Sequence, residues 1–266
     1  MVASPGVDEP AILRARDALR HFDFQRHPAP TALAASVDHF WTVVWDLPAG
    51  ETYAAQTLPH AAVNLSVTNT EADVTGIQHR RYERPLHGAG YAVGVRFRPA
   101  CFRPWLGRSV SFLSDTHRPI EEVLGRPTRS LARAVARAGL DRRVQLLADF
   151  LSAGVPPPDP TAQRLAEAVE TVAATPTVTR VGQLAELART SVRTLQRDFA
   201  EYVGASPKWV IQRCRLHDVA ARAASAGPIS WAAVATELGF ADQAHLVRAF
   251  TAAVGVPPAT YARRDG

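Results

Sequence analysis

Hydrophobic and polar positions change period partway along this 266-residue chain. In the front half they alternate. Val37, His39, Trp41, Val43 and Trp45 fall on one face, and Ala61, Val63, Leu65 and Val67 on another. Tyr91, Val93, Val95 and Phe97 alternate with Ala92, Gly94, Arg96 and Arg98. A period of two predicts half-buried antiparallel strands. The turn-rich stretches Leu47-Pro-Ala-Gly50 and His87-Gly-Ala-Gly90 punctuate them. After Pro127 the spacing turns helical, with Leu131 and Val135, then Val144, Leu147 and Leu151, broken at Gly139. Gly154-Val-Pro-Pro-Pro-Asp-Pro160 cannot continue a helix and predicts an extended spacer. Beyond it the pattern is helical throughout. Leu165, Val169 and Val172 mark a helix from about Thr161 to Ala174, and Leu184, Leu187 and Ala188 mark the next. Ser206-Pro207 opens a long helix through Ala224, Ser230 caps Trp231 to Leu238, and Asp242 opens another helix.

The helical part repeats itself. Ser191-Val-Arg-Thr-Leu-Gln-Arg-Asp-Phe199 runs on to Val203-Gly-Ala-Ser-Pro207. Fifty-one residues later Asp242-Gln-Ala-His-Leu-Val-Arg-Ala-Phe250 runs on to Val254-Gly-Val-Pro-Pro258. Upstream, Leu184-Ala185 matches Val234-Ala235 at an offset of fifty, so the copies differ by one residue in between. A repeat of this length is one supersecondary unit used twice. Each unit is a short helix, a tight turn and a second helix. The fold class is therefore α+β: a β-rich N-terminal domain followed by helices over 1–153, a Pro-rich linker over 154–160, and an all-α C-terminal domain with two helix-turn-helix units over 161–266.

In the second helix of the first unit, Leu195 and Phe199 share the inner face, and Arg193, Gln196 and Arg197 project elsewhere near its start. That layout suits a recognition helix whose N-terminal part meets base edges in the major groove. Arginine can bind guanine O6 and N7 together, and glutamine adenine N6 and N7. The second unit offers Gln243, His245 and Arg248 at comparable positions. Solvated faces of an ordinary bundle are the alternative for any one of these residues, but an unrelated bundle has no reason to repeat Leu-x-Arg-x-Phe-x3-Val-Gly-x2-Pro.

On these residues the last hundred or so positions, 162–264, resemble the DNA-binding domain of the AraC/XylS family of bacterial transcription regulators. The resemblance rests on Leu184-Ala185, Ser191-x-Arg-x-Leu-Gln-Arg-x-Phe199, Gly204-x-Ser-Pro207 and Arg215-Leu216. It continues through Ala235-x3-Gly-Phe240, Asp242, Leu246-x-Arg-x-Phe250, Gly255-x2-Pro258 and Tyr261. It implies seven helices forming two units joined by one long helix, with both recognition helices in successive major grooves. It also implies that Arg193, Gln196 and Arg197 contact bases in the first unit, and Gln243, Ala244, His245 and Arg248 in the second. Ala244 has no hydrogen-bonding side chain and suits a thymine methyl. Departures are Arg189 where the family usually has glycine in the first turn, Val219, Arg222 and Ala223 in the linking helix, and Ala262 after the tyrosine.

Composition narrows the partners. Lys+Arg total 30 against 25 Asp+Glu, a net charge of +5 shared between the halves, so basicity alone does not point to nucleic acid. No apolar run is long enough to span a bilayer, and the N-terminus lacks a basic start and apolar stretch, so the expected location is the cytoplasm. Two cysteines, Cys101 and Cys214, are too few for a disulfide scaffold or a cysteine zinc site; a redox-sensing Cys101 beside Arg98 and Arg103 is the alternative to burial. His21, His27, His39, His60, His79, His87 and His117 show no metal-ligand spacing. No cofactor and no metal is expected.

The front half is similar to a β-rich sensor domain of such regulators through His39-Phe-Trp41, Trp45-Asp-Leu-Pro48, Leu58-Pro59 and Gly94-Val-Arg-Phe-Arg-Pro99. Trp41, Trp45, Tyr53, Tyr91, Phe97, Phe102 and Trp105 can line an apolar pocket or form plain sheet core; Trp41, Trp45, Tyr91 and Phe97 are the ligand-binding candidates. Arg96 and Arg98 suit an anionic ligand or a solvated strand face. The expected partners are double-stranded promoter or operator DNA, RNA polymerase, a small-molecule effector and a second copy in a homodimer; no membrane is expected. Two other readings stand beside the regulator: an enzyme carrying a DNA-binding tail, and a constitutive binder whose front domain only oligomerises. The first is disfavoured because no Gly-rich phosphate loop, Gly-x-Ser-x-Gly elbow or His-Glu-x2-His pair is present.

Overall fold

In the computed structural model, residues 11–225 and 227–265 are described. The front half contains the short helix α1 (Ala15–Ala18) and strands β1 (Asp23–Pro28), β2 (Val37–Asp46), β3 (Thr52–Thr57), β4 (Asn64–Thr68), β5 (Ala72–Thr75), β6 (Tyr82–His87), β7 (Ala89–Phe97) and β8 (His117–Pro119). An antiparallel sheet runs β1-β2-β7-β4-β5-β8, and β3 pairs with β6 in a second, two-stranded sheet. Helices α2 (Arg103–Leu106), α3 (Ile120–Leu124), α4 (Arg129–Arg137) and α5 (Leu140–Ser152) follow.

The alternation of β7 decides which way the large sheet faces. Tyr91, Val93, Val95 and Phe97 join Phe40, Leu65 and Val67 on the face covered by Leu131, Val135, Leu147 and Leu151 of α4 and α5. The other face carries Trp41 and Trp45, opposite Gly94 and Gly90 of β7. A Cβ on either glycine would lie 2.2 Å from the facing indole, so both rings lie flat over bare backbone. β2 keeps this pattern only from His39 onward. Between Val37 and His39 the register with β7 shifts, which makes Asp38 an extra residue and turns Val37 to the helix-covered core. Val37 therefore does not share the face of His39 and Trp41, as strict alternation predicts. Ala61 also departs from expectation: β4 starts at Asn64, and Ala61 packs into a core of the C-terminal helices.

The rear half is the seven helices α6 (Pro160–Ala174), α7 (Val181–Leu187), α8 (Val192–Asp198), α9 (Pro207–Ala224), α10 (Trp231–Glu237), α11 (Gln243–Val254) and α12 (Pro258–Asp265). Asp159 caps α6 by accepting from the Thr161 and Ala162 amides, so the last residues of the Pro-rich stretch already belong to a helix start. Leu195, Phe199 and Val203 sit in one core with Leu184 and Ala185, and Leu246, Phe250 and Val254 sit in another with Val234 and Ala235. Leu187 differs from its predicted role: it is exposed, while Leu184 and Ala188 point inward.

On α9, burial pushes the Asp218 carboxyl up to about 6, with Arg222 pulling the other way. Its ordinary value is 3.8. Between those values the folded protein holds a proton that the unfolded chain has released, so stability falls as pH rises through the window. Asp218→Asn is expected to melt higher than wild type near pH 7 and to converge with it below about pH 4. Parallel melting curves across that range would refute the assignment.

Candidate nucleic-acid interface

Both candidate recognition helices, α8 and α11, are built from the same parts. Ser191 accepts a hydrogen bond from the Thr194 amide at the start of α8, and Asp242 accepts from the His245 amide at the start of α11. Each cap satisfies an otherwise orphaned donor and fixes where the helix begins. The preceding turns are superposable in their bonding. Thr190 N donates to Ala185 O at 3.0 Å, and Phe240 N to Ala235 O at 2.8 Å. Their left-handed residues are Arg189 (φ 48°) and Gly239 (φ 67°). The one-residue difference between the copies is Ala241, just before the second cap. Both helices end at left-handed glycines, Gly204 and Gly255, the first after a π-helical turn over Phe199–Val203.

A left-handed Arg189 costs about 1–2 kcal/mol against a relaxed backbone. Glycine's extra unfolded-state entropy offsets part of that. Arg189→Gly is thus expected to stabilise the protein by roughly 0.5–1 kcal/mol, read as a raised urea midpoint; a lowered midpoint would show that the turn is not strained.

The outward faces differ. Arg193, Gln196 and Arg197 of α8 are exposed. So are Gln243, Ala244 and Arg248 of α11, while His245 is half-buried with its ring edge-on to Phe240 at 5.5 Å. Arg197 is tethered, its guanidinium 3.1 Å from Asp198, which also takes Arg164 at 3.2 Å. In the second unit Ala249 stands where Asp198 does. Among the described residues Arg193 and Arg248 make no hydrogen bond or ion pair, so both present a whole guanidinium outward.

The front half grips these units at several points that sequence reasoning missed. Ser114 Oγ donates to Gly204 O at 2.8 Å, and Arg81 Nη1 to Val254 O at 2.7 Å, so one group holds the end of each recognition helix. Arg98 forms paired bonds to Glu170 on α6, and Arg103 pairs with Glu201. The buried Arg213 of α9 donates to the His79 carbonyl at 2.7 Å and lies over Trp209; burial lowers it to about 10. His60 stacks on His217 of α9 with centroids 4.0 Å apart. Cys101 is buried beside Ala162 and Ala166, and burial pushes its thiol up to about 11, the reverse of a redox-sensing thiolate.

The two sheets enclose a cavity of about 220 Å³. Trp41 and Trp45 line it, together with His39, Phe22, Phe24 and Tyr82. Tyr91 and Phe97 do not. They lie one strand position off, on the helix-covered face, with Phe102 and Trp105 in the same core. Tyr53 does not line it either, although it packs beside the lining residues Phe22 and Leu86. Arg96 reaches the cavity but pairs with Asp38 at 2.7 Å. No cluster of three or more metal-ligating side chains occurs among the described residues, and no helix there is long and apolar enough to cross a membrane.

Residues 184–264 match a helix-turn-helix domain family of the AraC type, and residues 25–119 match a domain of unknown function, DUF6597. No curated protein matches the chain in sequence. Solved structures of ToxT from Vibrio cholerae align over most of both chains. One at 1.65 Å resolution has 11% identity, a TM-score of 0.45, and coverage of 85% of this chain and 98% of that one. ToxT bound to (E)-4-(8-methylnaphthalen-1-yl)but-3-enoic acid has 14% identity, a TM-score of 0.42, and coverage of 85% and 99%.

Proposed function

We propose that the chain is a DNA-binding transcription regulator of the AraC/XylS type, whose helices α8 and α11 read two unlike half-sites in successive major grooves under control of the β-rich domain. The observation that carries this reading is the pair of capped helices with unlike exposed faces: Arg193, Gln196 and Arg197 on one, Gln243, Ala244 and Arg248 on the other. His245 sits half-buried and acts at the edge of the second contact. Control passes through the cavity wall. Leu58, Pro59 and His60 line the cavity, and the same segment touches α9: Leu58 packs with Leu216 and Val219, and the Pro59 carbonyl lies 3.4 Å from His217 Nε2. A small molecule that shifts this segment therefore acts directly on the helix joining the two units. This favours a sensor over a front domain that only oligomerises.

Hydroxyl-radical footprinting, with the full chain, of duplexes that it selects from a random-sequence library is the test. Two protected patches are expected, about 34 Å apart along the duplex. Arg193→Ala is expected to weaken one patch and relax base preference there. A single patch, or protection indifferent to sequence, would overturn the bipartite reading.

A further inference from the structure

The charges and hydrogen bonds around the cavity between the two sheets restrict what it can hold. This inference rests on the reading of that cavity as the effector site and names the class of effector. Two arginines reach the lining, and each is already matched. Arg96 binds Asp38 through Nε at 2.8 Å and through its terminal nitrogen at 2.7 Å. Arg84 binds Glu71 at 2.9 Å. Burial alone would raise the Asp38 carboxyl, but the His39 and Arg96 hydrogen bonds overcome it and hold the group well below the usual carboxylate range. The Asp38–Arg96 pair is thus charged on both sides and closed upon itself. An anion entering here would have to displace a carboxylate from its arginine or stay unmatched in an apolar site, and both are costly.

The polar groups of the lining divide in the same way. Thr68 is taken up by the backbone of its own turn, Thr75 by His117, and Gln78 by the Gly76 and Thr116 carbonyls. Asn64 and Ser66 are different. They sit two apart on β4, on the face opposite Leu65 and Val67, and among the described residues neither side chain makes a hydrogen bond. An amide and a hydroxyl side by side can both donate to and accept from one neutral oxygen. Around them the lining is aromatic and aliphatic: Trp41, Trp45, Phe22, Phe24 and Leu86.

We propose that this cavity binds an uncharged, mainly apolar molecule carrying a hydroxyl or carbonyl group, with its apolar body against Trp41 and Trp45 and its oxygen at Asn64 and Ser66.

Size-matched probes of opposite character test it: 4-phenyl-1-butanol against 4-phenylbutyrate, titrated into the full chain by calorimetry and thermal shift. The alcohol is expected to bind at least tenfold tighter than the carboxylate. Asn64→Leu combined with Ser66→Ala is expected to weaken the alcohol about tenfold while the protein melts cooperatively. Asp38→Asn, which releases Arg96, is expected to bring the carboxylate up to or past the alcohol. Ala92→Phe, which fills the cavity, should abolish binding of both. Carboxylate binding equal to or tighter than the alcohol in the wild type, yet lost in Ala92→Phe, would overturn the class and leave the cavity as the effector site. Alcohol binding that survives Ala92→Phe would overturn the cavity reading itself, and so would failure of both probes to bind the wild type.

Discussion

Phe250→Ala is expected to cost about 3–5 kcal/mol, the toll of removing a fully buried aromatic ring from a packed core. The ring is fully buried, meets Tyr261 edge-on at 5.6 Å, and shares its core with Leu238, Leu246 and Val254. Two residues of the front half, Leu13 and Leu58, close the same core. The lost contacts therefore include those that tie the second helix-turn-helix unit to the cavity wall. For a chain of this size the melting temperature should fall by roughly 6–20 °C. The functional signature is more specific than the loss of stability. Phe199 fills the matching position in a separate core, closed by Ala61, Ile77 and Ala100. Phe250→Ala should erase the footprint of the second unit before that of the first, and Phe199→Ala the reverse. Equal loss of both patches in each variant would mean that the two cores unfold as one.

The C-terminal half was legible in the sequence because each unit is locally determined. Ser206, Ser230 and Asp242 all cap the helices they were expected to open. Leu195 with Phe199, and Leu246 with Phe250, point inward as their spacing requires. Arg189, which departs from the glycine usual at that turn, takes the same left-handed backbone as Gly239. The sheets of the front half were legible only as alternation, although α4 and α5 follow the helical spacing after Pro127 and break at Gly139. Period two divides a strand into two faces but does not say which one α4 and α5 will cover. Tyr91 and Phe97 are thus pocket candidates in the sequence, yet alternation along β7 turns them to the helix-covered face, opposite Trp41 and Trp45. Asp38 carries no local signal of a bulge, yet it turns Val37 inward and supplies the counter-charge of Arg96. The closure of the helical cores by Ala61, Ile77, Leu13 and Leu58 depends on contacts distant in sequence, which no local pattern encodes.

Removing Arg193 and Arg248 together is expected to reduce affinity for the cognate site by about 2–6 kcal/mol, roughly 30- to 20,000-fold. Each guanidinium that binds a base edge is worth about 1–3 kcal/mol. The two stand on different recognition helices and share no partner among the described residues, so their costs should add. Arg197 should matter less than its counterpart Arg248. Asp198 already holds Arg197, so binding a base must compete with an internal ion pair, whereas the alanine at 249 leaves Arg248 unrestrained. The ranking is therefore Arg248→Ala above Arg197→Ala, and Asp198→Asn should raise the cost of Arg197→Ala by freeing that side chain in the parent. Titrations of single and double variants on the footprinted site at fixed salt measure all of this. If Arg197→Ala costs more than Arg248→Ala, the Asp198 pair positions the first reader rather than restraining it. A double variant no weaker than either single would show that only one helix reads bases.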